Sequence, residues 1–189
     1  MILGLRRNRV ELAEHDLKWK DVAAETIERL WQIMGSVARD MQHVGSTSIN
    51  GIKAKPIIDI AVAVDDFAEV EKLTPVLELN GFIKRNWFDD TQLIYSVGEN
   101  TMAEDRISTH FIHIVKTGSA DWYDYVNFRD YLNMHTCVAK EYEAMKICLA
   151  NENPYDEGRE KYRAGKHDFI VSKLNDARKW ADRRKGERP

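Results

Sequence analysis

Residues 43–64, HVGSTSINGIKAKPIIDIAVAV, hold the side chains best suited to chemistry in this chain. Gly45 permits a tight turn, because a residue without a Cβ reaches backbone conformations closed to others. Ser46, Thr47 and Ser48 put hydroxyls on the same small-residue loop, and exposed loop amides can line a concavity. Lys53 and Lys55 add positive charge. Together these groups could cradle a phosphate, and a helical turn beginning in the loop would add its amino end. A Gly-Ser-Thr run alone signals only a turn. Asp59 adds weight, because it stands in the otherwise apolar run 57–64, IIDIAVAV. A buried carboxylate is costly unless it is paired, metal-bound or protonated. In a strand, Asp59 shares one face with Ile57, Ala61 and Ala63, while Ile58, Ile60, Val62 and Val64 form a core face. The two alanines leave room above the strand, so Asp59 is expected to look into a cavity or toward a strand end. The plainer reading is an acid tied to a backbone amide or a lysine for structure.

His110 and His113 are the candidate partners of Asp59, as metal ligands or as acid and base near neutral pH. Residues three apart on a flat strand point to opposite faces, so only one should reach the Asp59 pocket. Parity alone does not choose: His113 goes with Phe111 and Val115, His110 with Ile112 and Ile114. His43, beside the loop, is a third candidate. Arg129 could hold a phosphate bidentately or pair with an acid across a helix–sheet seam. Lys146 and Lys166 stand on later helices and could contact an anion from a helical wall. Tyr131, Tyr142 and Tyr162 read as packing residues that could also stack on a base. The basic ends, with Arg6, Arg7 and Arg9 at one and Arg178, Lys179, Arg183, Arg184, Lys185 and Arg188 at the other, read as solvated charge.

The elements that must position these groups follow from periodicity. Val22, Ile27, Leu30, Trp31 and Met34 recur at helical spacing, predicting a helix over 16–34 that stops at Gly35. A short strand is expected over 41–44 and a buried one over 57–64, where β-branched residues favour strand. A helix should run from Asp65-Asp66 to Asn80, kinked or split at Pro75. Strands are expected over 82–87, 92–97 and 109–116, with a polar loop over 98–106. Helices then cover 120–134, 136–151 and 159–183. The tryptophans read as core or helix-seam residues. Helices segregated from one sheet make an α+β protein.

Composition bounds the function. At roughly 150 residues per domain, the 189 residues read as one domain, with a sheet core over 36–117 and helices over 119–185. Apolar residues at 43% suffice for a core, which excludes global disorder. Net charge is −3, so no whole-molecule field draws in nucleic acid or an anionic membrane. Mean hydropathy is −0.51 and no apolar run approaches the roughly 20 residues of a spanning helix. Arg and Glu stand where a signal peptide would need its apolar stretch. Cys137 and Cys148 form no CxxC pair, so neither a zinc site nor a disulfide scaffold is indicated. The expected compartment is the cytoplasm.

Gly45-Ser46, followed after twelve residues by Asp59 on a strand, resembles the signature of the nucleotidyltransferase fold. The whole stretch more specifically resembles the GrpB family, whose motif is close to HIGSTAVPGLAAKPIIDI. RISTHFIHIV at 106–115 is similar to that family's His-rich strand, Phe128-Arg129-Asp130-Tyr131-Leu132 to its FRDYL box, and Tyr142…Lys146 and Tyr162…Lys166 to its helical Y-x-x-x-K positions. The resemblance spans about 10–180. It implies a nucleotidyltransferase-like mixed sheet whose C-terminal helices wall a cleft. In active members of that superfamily the strand carries two acids, two residues apart, that hold metal ions for the nucleotide phosphates. Here Ala61 takes the second place, and Asp65 lies about 20 Å further along the strand. The implied site is a phosphate loop of Gly45, Ser46 and Thr47. Asp59 would bind Mg²⁺ or orient an acceptor hydroxyl, and His113 or His110 would complete it as metal ligand or catalytic partner. Lys53, Lys55, Arg129, Lys146 and Lys166 would balance phosphate charge. The expected ligand is a nucleoside triphosphate or another small phosphate-bearing molecule. The alternatives are a non-catalytic binding module and a partner-binding domain whose pocket is filled by side chains.

Overall fold

The computed structural model describes residues 1–85, 91–98, 107–156 and 159–186, with no account of the side chains of 185 and 186. The expected loop over 98–106 lies, apart from Gly98, outside the described residues, as do Trp87 and Arg188. In chain order the elements are β1 (Leu5–Arg6), α1 (Lys18–Met34), β2 (Ala38–Val44), β3 (Ile58–Val64), α2 (Phe67–Leu79), β4 (Ile83–Arg85), β5 (Gln92–Gly98), β6 (Ile107–Lys116), α3 (Ala120–Met134), α4 (Thr136–Glu152) and α5 (Glu160–Gly186). The protein is α+β, as its pattern predicts.

The sheet order is β2-β3-β6-β5-β4. β3 and β6 run parallel, and the other named pairs antiparallel. β1 pairs with the first residues of β6, where β3 has not yet begun. One face carries Ile58, Ile60, Val62 and Val64 into a core with α1 and α2. In α1 the buried residues are Trp19, Ala23, Thr26, Leu30 and Met34, a stripe every three or four positions. Trp31 departs from its expected core role and is 38% exposed. α2 is capped by the Asp66 side chain, which accepts from the Ala68 amide at 3.0 Å. It continues as one helix through Pro75 instead of splitting, with that residue on its exposed side.

The other sheet face carries Asp59, Ala61, Ala63, Phe111, His113 and Val115, since directly paired strand residues share a face. The room above Ala61 and Ala63 is not open: Trp122, with Tyr125 and Val126 of α3, packs there against Val44 and Val115. α4 and α5 continue the wall. α3 and α4 also hold the loop between β2 and β3: Asn133 accepts from the Asn50 amide and donates to the Ser48 carbonyl, and Glu143 accepts from the Lys53 amide.

Candidate functional site

Asp59 lies opposite Val44 in the β2–β3 ladder, so the residue after Val44 passes against its side chain. That residue is Gly45, at φ 69°. A Cβ there would stand 2.9 Å from Asp59 Cβ and Cγ and would overlap the carboxylate oxygen Oδ2. Glycine is therefore required twice, by the backbone and by the acid. Ser46–Ser48 then form one 3₁₀ turn, in which the Ser48 hydroxyl donates to the Gly45 carbonyl at 2.6 Å. The Ser46 hydroxyl donates to the Tyr142 hydroxyl at 3.3 Å, joining the loop to α4.

His113, paired with Ala61 in the β3–β6 register, brings Nε2 to 3.5 Å from Asp59 Oδ1. Its Nδ1 lies 3.0 Å from the Tyr125 hydroxyl and 3.3 Å from Gln92 Oε1, which hold the ring from α3 and β5. The imidazole thus stands beside the position where a second acid would project.

Between this face and α5 lies a cavity of about 550 Å³. Gly45, Ser46, Asp59 and His113 line one side. Lys55, Arg159, Arg163 and Lys166 line the other, with Phe111, Phe128, Tyr142 and Tyr162 among the aromatic surfaces. The Tyr162 ring lies between two ammonium groups, with Lys55 Nζ at 4.8 Å and Lys166 Nζ at 4.7 Å from its centroid. Burial, and then the nearby Lys166 and Arg159 charges, push the Lys55 ammonium well below the usual lysine range. Burial raises the Tyr162 phenol above its ordinary value.

Of the eleven residues of the implied site, the structure brings Gly45, Ser46, Lys55, Asp59, His113 and Lys166 to this cavity. The other five do not line it. Thr47 is buried and its hydroxyl sits 2.9 Å from His43 Nε2, on the α1 side of the sheet. His110 also faces α1, with Nε2 3.2 Å from Thr26 Oγ1, because its strand neighbour Ile58 belongs to the core face. Lys53 points outward to Glu14 at 2.8 Å. Arg129 ties α3 to β2 by donating to Gln42 Oε1 and the His43 carbonyl, each at 3.0 Å. Lys146 is 1% exposed and donates to the Lys53 carbonyl at 2.5 Å. Burial, followed by the Lys166 charge, lowers its pKa to about 7.

Sequence reasoning passed over Arg159 and Arg163. Arg163 and Lys166, three apart, share one face of α5, and that spacing could have exposed Arg163. Arg159 just precedes α5 at φ 60° and is buried. Its guanidinium donates to the Leu5, Arg6 and Arg9 carbonyls.

The donor set does not fit a pair of Mg²⁺ ions. Among the described residues no group of three or more His, Cys, Asp and Glu side chains is placed to hold a metal ion. Mg²⁺ prefers oxygen ligands, whereas the sheet offers one carboxylate and one imidazole here; the cavity's other acids, Asp121 and Asp124, come from α3, and Asp124 is paired with Arg178. Ala61, at the second acid position, is 0% exposed.

The site and fold together define an α+β protein with a cation-walled cleft beside a Gly-Ser turn and a strand-borne acid. The family model described as GrpB protein matches residues 9–176, and the chain belongs to the GrpB family. It is 34% identical over 180 residues to the glutamate-rich protein GrpB of Alkalihalophilus pseudofirmus, covering 93% of this chain and 99% of that one. The crystal structure of GrpB from Enterococcus faecalis is similar, with a TM-score of 0.80 at 26% identity over 90% of this chain and 99% of that one. A more distant likeness is to Cid1 poly(U) polymerase, with a TM-score of 0.49 at 13% identity over 71% of this chain and 41% of that one. Among the described residues no helix is long and apolar enough to cross a membrane.

Proposed function

We propose that the chain binds a nucleotide or another phosphate-bearing small molecule in the cavity between β3 and α5, and that it transfers a nucleotidyl group to a small acceptor. The observation that supports this reading is the convergence of the Asp59–His113 pair with four cationic side chains on one cavity. The volume of about 550 Å³ suits a ligand of nucleotide size. In such a transfer the acceptor oxygen bonds to the α-phosphorus and the bond to the departing pyrophosphate oxygen breaks. The acceptor proton passes to the Asp59–His113 pair. Tyr125 and Gln92 keep the His113 ring turned toward Asp59. The cations stabilise charge that builds on the phosphate oxygens.

Ala61 favours a second reading, a binding module without turnover, because it removes one of two acids that transfer chemistry ordinarily uses. One experiment separates them: calorimetric titration with ATP and CTP, then a pyrophosphate-release assay with a panel of hydroxyl acceptors. Under the enzyme reading, Asp59→Asn folds normally and lowers release on the order of 10²–10³-fold. Saturable binding with no release supports the binding module. No saturable binding of either nucleotide contradicts both.

A further inference from the structure

Four basic side chains and three acids, Asp59, Asp121 and Asp124, line the cavity, and Asp124 is already paired with Arg178. Lys55 reaches it from the loop before β3, and Arg159, Arg163 and Lys166 reach it from the start of α5. Among the described residues no carboxylate lies within ion-pair distance of Lys55, Arg163 or Lys166. Two of these ammonium groups flank a single tyrosine ring, at 4.8 and 4.7 Å from its centroid. Charge on both of these lysines works against folding unless an anion offsets it. The opposite side offers Asp59, held by His113, while the neighbouring acid position is an alanine sealed under Trp122.

Two ways of neutralising a di- or triphosphate are open to a protein. One is a divalent ion bridged to paired carboxylates; the other is a set of cationic side chains that touch the phosphate oxygens directly. Here β3 lacks its second acid, Asp124 of α3 is taken up by Arg178, and the basic side chains from the β3 loop and α5 face the same cavity. Arginine suits the second route, because its planar fork matches two phosphate oxygens at once. We propose that Lys55, Arg163 and Lys166 grip the polyphosphate tail of the ligand directly, with no divalent ion bridging it to Asp59. The inference rests on the reading of this cavity as a site for phosphate-bearing molecules, and it specifies how the charge is met.

The test is isothermal titration of the full chain with ATP and with inorganic tripolyphosphate, each in excess EDTA and in excess Mg²⁺. The expected result is saturable binding in EDTA, within about threefold of the affinity in Mg²⁺ or tighter. Lys166→Ala and Arg163→Ala should each weaken binding in EDTA about tenfold, about 1.4 kcal/mol. Lys53→Ala should leave it unchanged, because that side chain points away to Glu14. Thermal melts identify any variant that fails to fold, and the wild-type comparison of EDTA with Mg²⁺ needs no variant. Binding that appears only with Mg²⁺ would overturn this inference while leaving the phosphate site standing. Absence of saturable binding by either probe under both conditions would overturn the phosphate-site reading and this inference with it.

Discussion

His43 and His110 sit on the α1 side of the sheet, away from the cavity, and burial lowers the pKa of each to about 4. Each imidazole contacts a threonine hydroxyl, Thr47 for His43 and Thr26 for His110. Neither is placed to serve the ligand; their consequence is for stability. An unfolded chain takes up a proton on each histidine near pH 6.5, whereas the folded protein resists until about pH 4. Stability is therefore full above pH 6.5 and is lost progressively as pH falls toward 4. For His110, the more buried of the two, the loss is on the order of 3 kcal/mol. Urea denaturation at pH 7 and pH 4.5 should show this fall, and His110→Gln should flatten it. A His110→Gln protein with undiminished pH dependence would contradict the assignment. His113, three residues on, belongs to the other face and stands 3.5 Å from Asp59. One strand thus divides its two histidines between a packing role and the site.

At the scale of elements, β3 was the most legible part of the chain. Its alternation separates Asp59 from the apolar face by parity alone, and Gly45 and Lys55 follow from the same short stretch. What parity could not supply was the register of β6 against β3, which decides between His110 and His113. That register is a long-range pairing, set by contacts between strands more than forty residues apart in sequence. The same limit applies to the helices. Arg129 and Lys146 have the right residue types, but the rotation of α3 and α4 against the sheet spends them on carbonyls of β2 and the loop. α3 also fills the space above Ala61 and Ala63. Its Trp122 makes a prediction: restoring a second acid by Ala61→Asp should not restore a metal site. A carboxylate at a fully buried position beneath Trp122 loses its water with only the neighbouring His113 to meet it, and the change should cost about 3 kcal/mol. Denaturant unfolding with and without Mg²⁺ checks it. Near-native stability, or stabilisation by Mg²⁺, would show that α3 yields and that the position is available to an acid.

Across the whole molecule, the sheet divides two tasks. Its α1–α2 face holds the larger apolar core, and its other face leaves a cavity where α5 stands off from β3. The N-terminal segment is bound into this arrangement, since Arg159 holds the Leu5, Arg6 and Arg9 carbonyls at the start of α5. The cationic wall is consequently anchored to β1 and, through it, to β6. A net charge of −3 conceals this local excess of positive charge, because the acids lie mostly elsewhere on the surface. A ligand's phosphates would meet a field made by one wall of one cavity, and not by the molecule as a whole. The central claim is that this cavity is where a phosphate-bearing molecule binds. Its most direct test is a backbone-amide NMR titration of the protein with ATP. The account predicts saturable shifts concentrated at Gly45, Ser46, Lys55, Tyr162, Arg163 and Lys166, with the α1–α2 face unmoved. Shifts confined to the outer surface, or none at millimolar ATP, would contradict it.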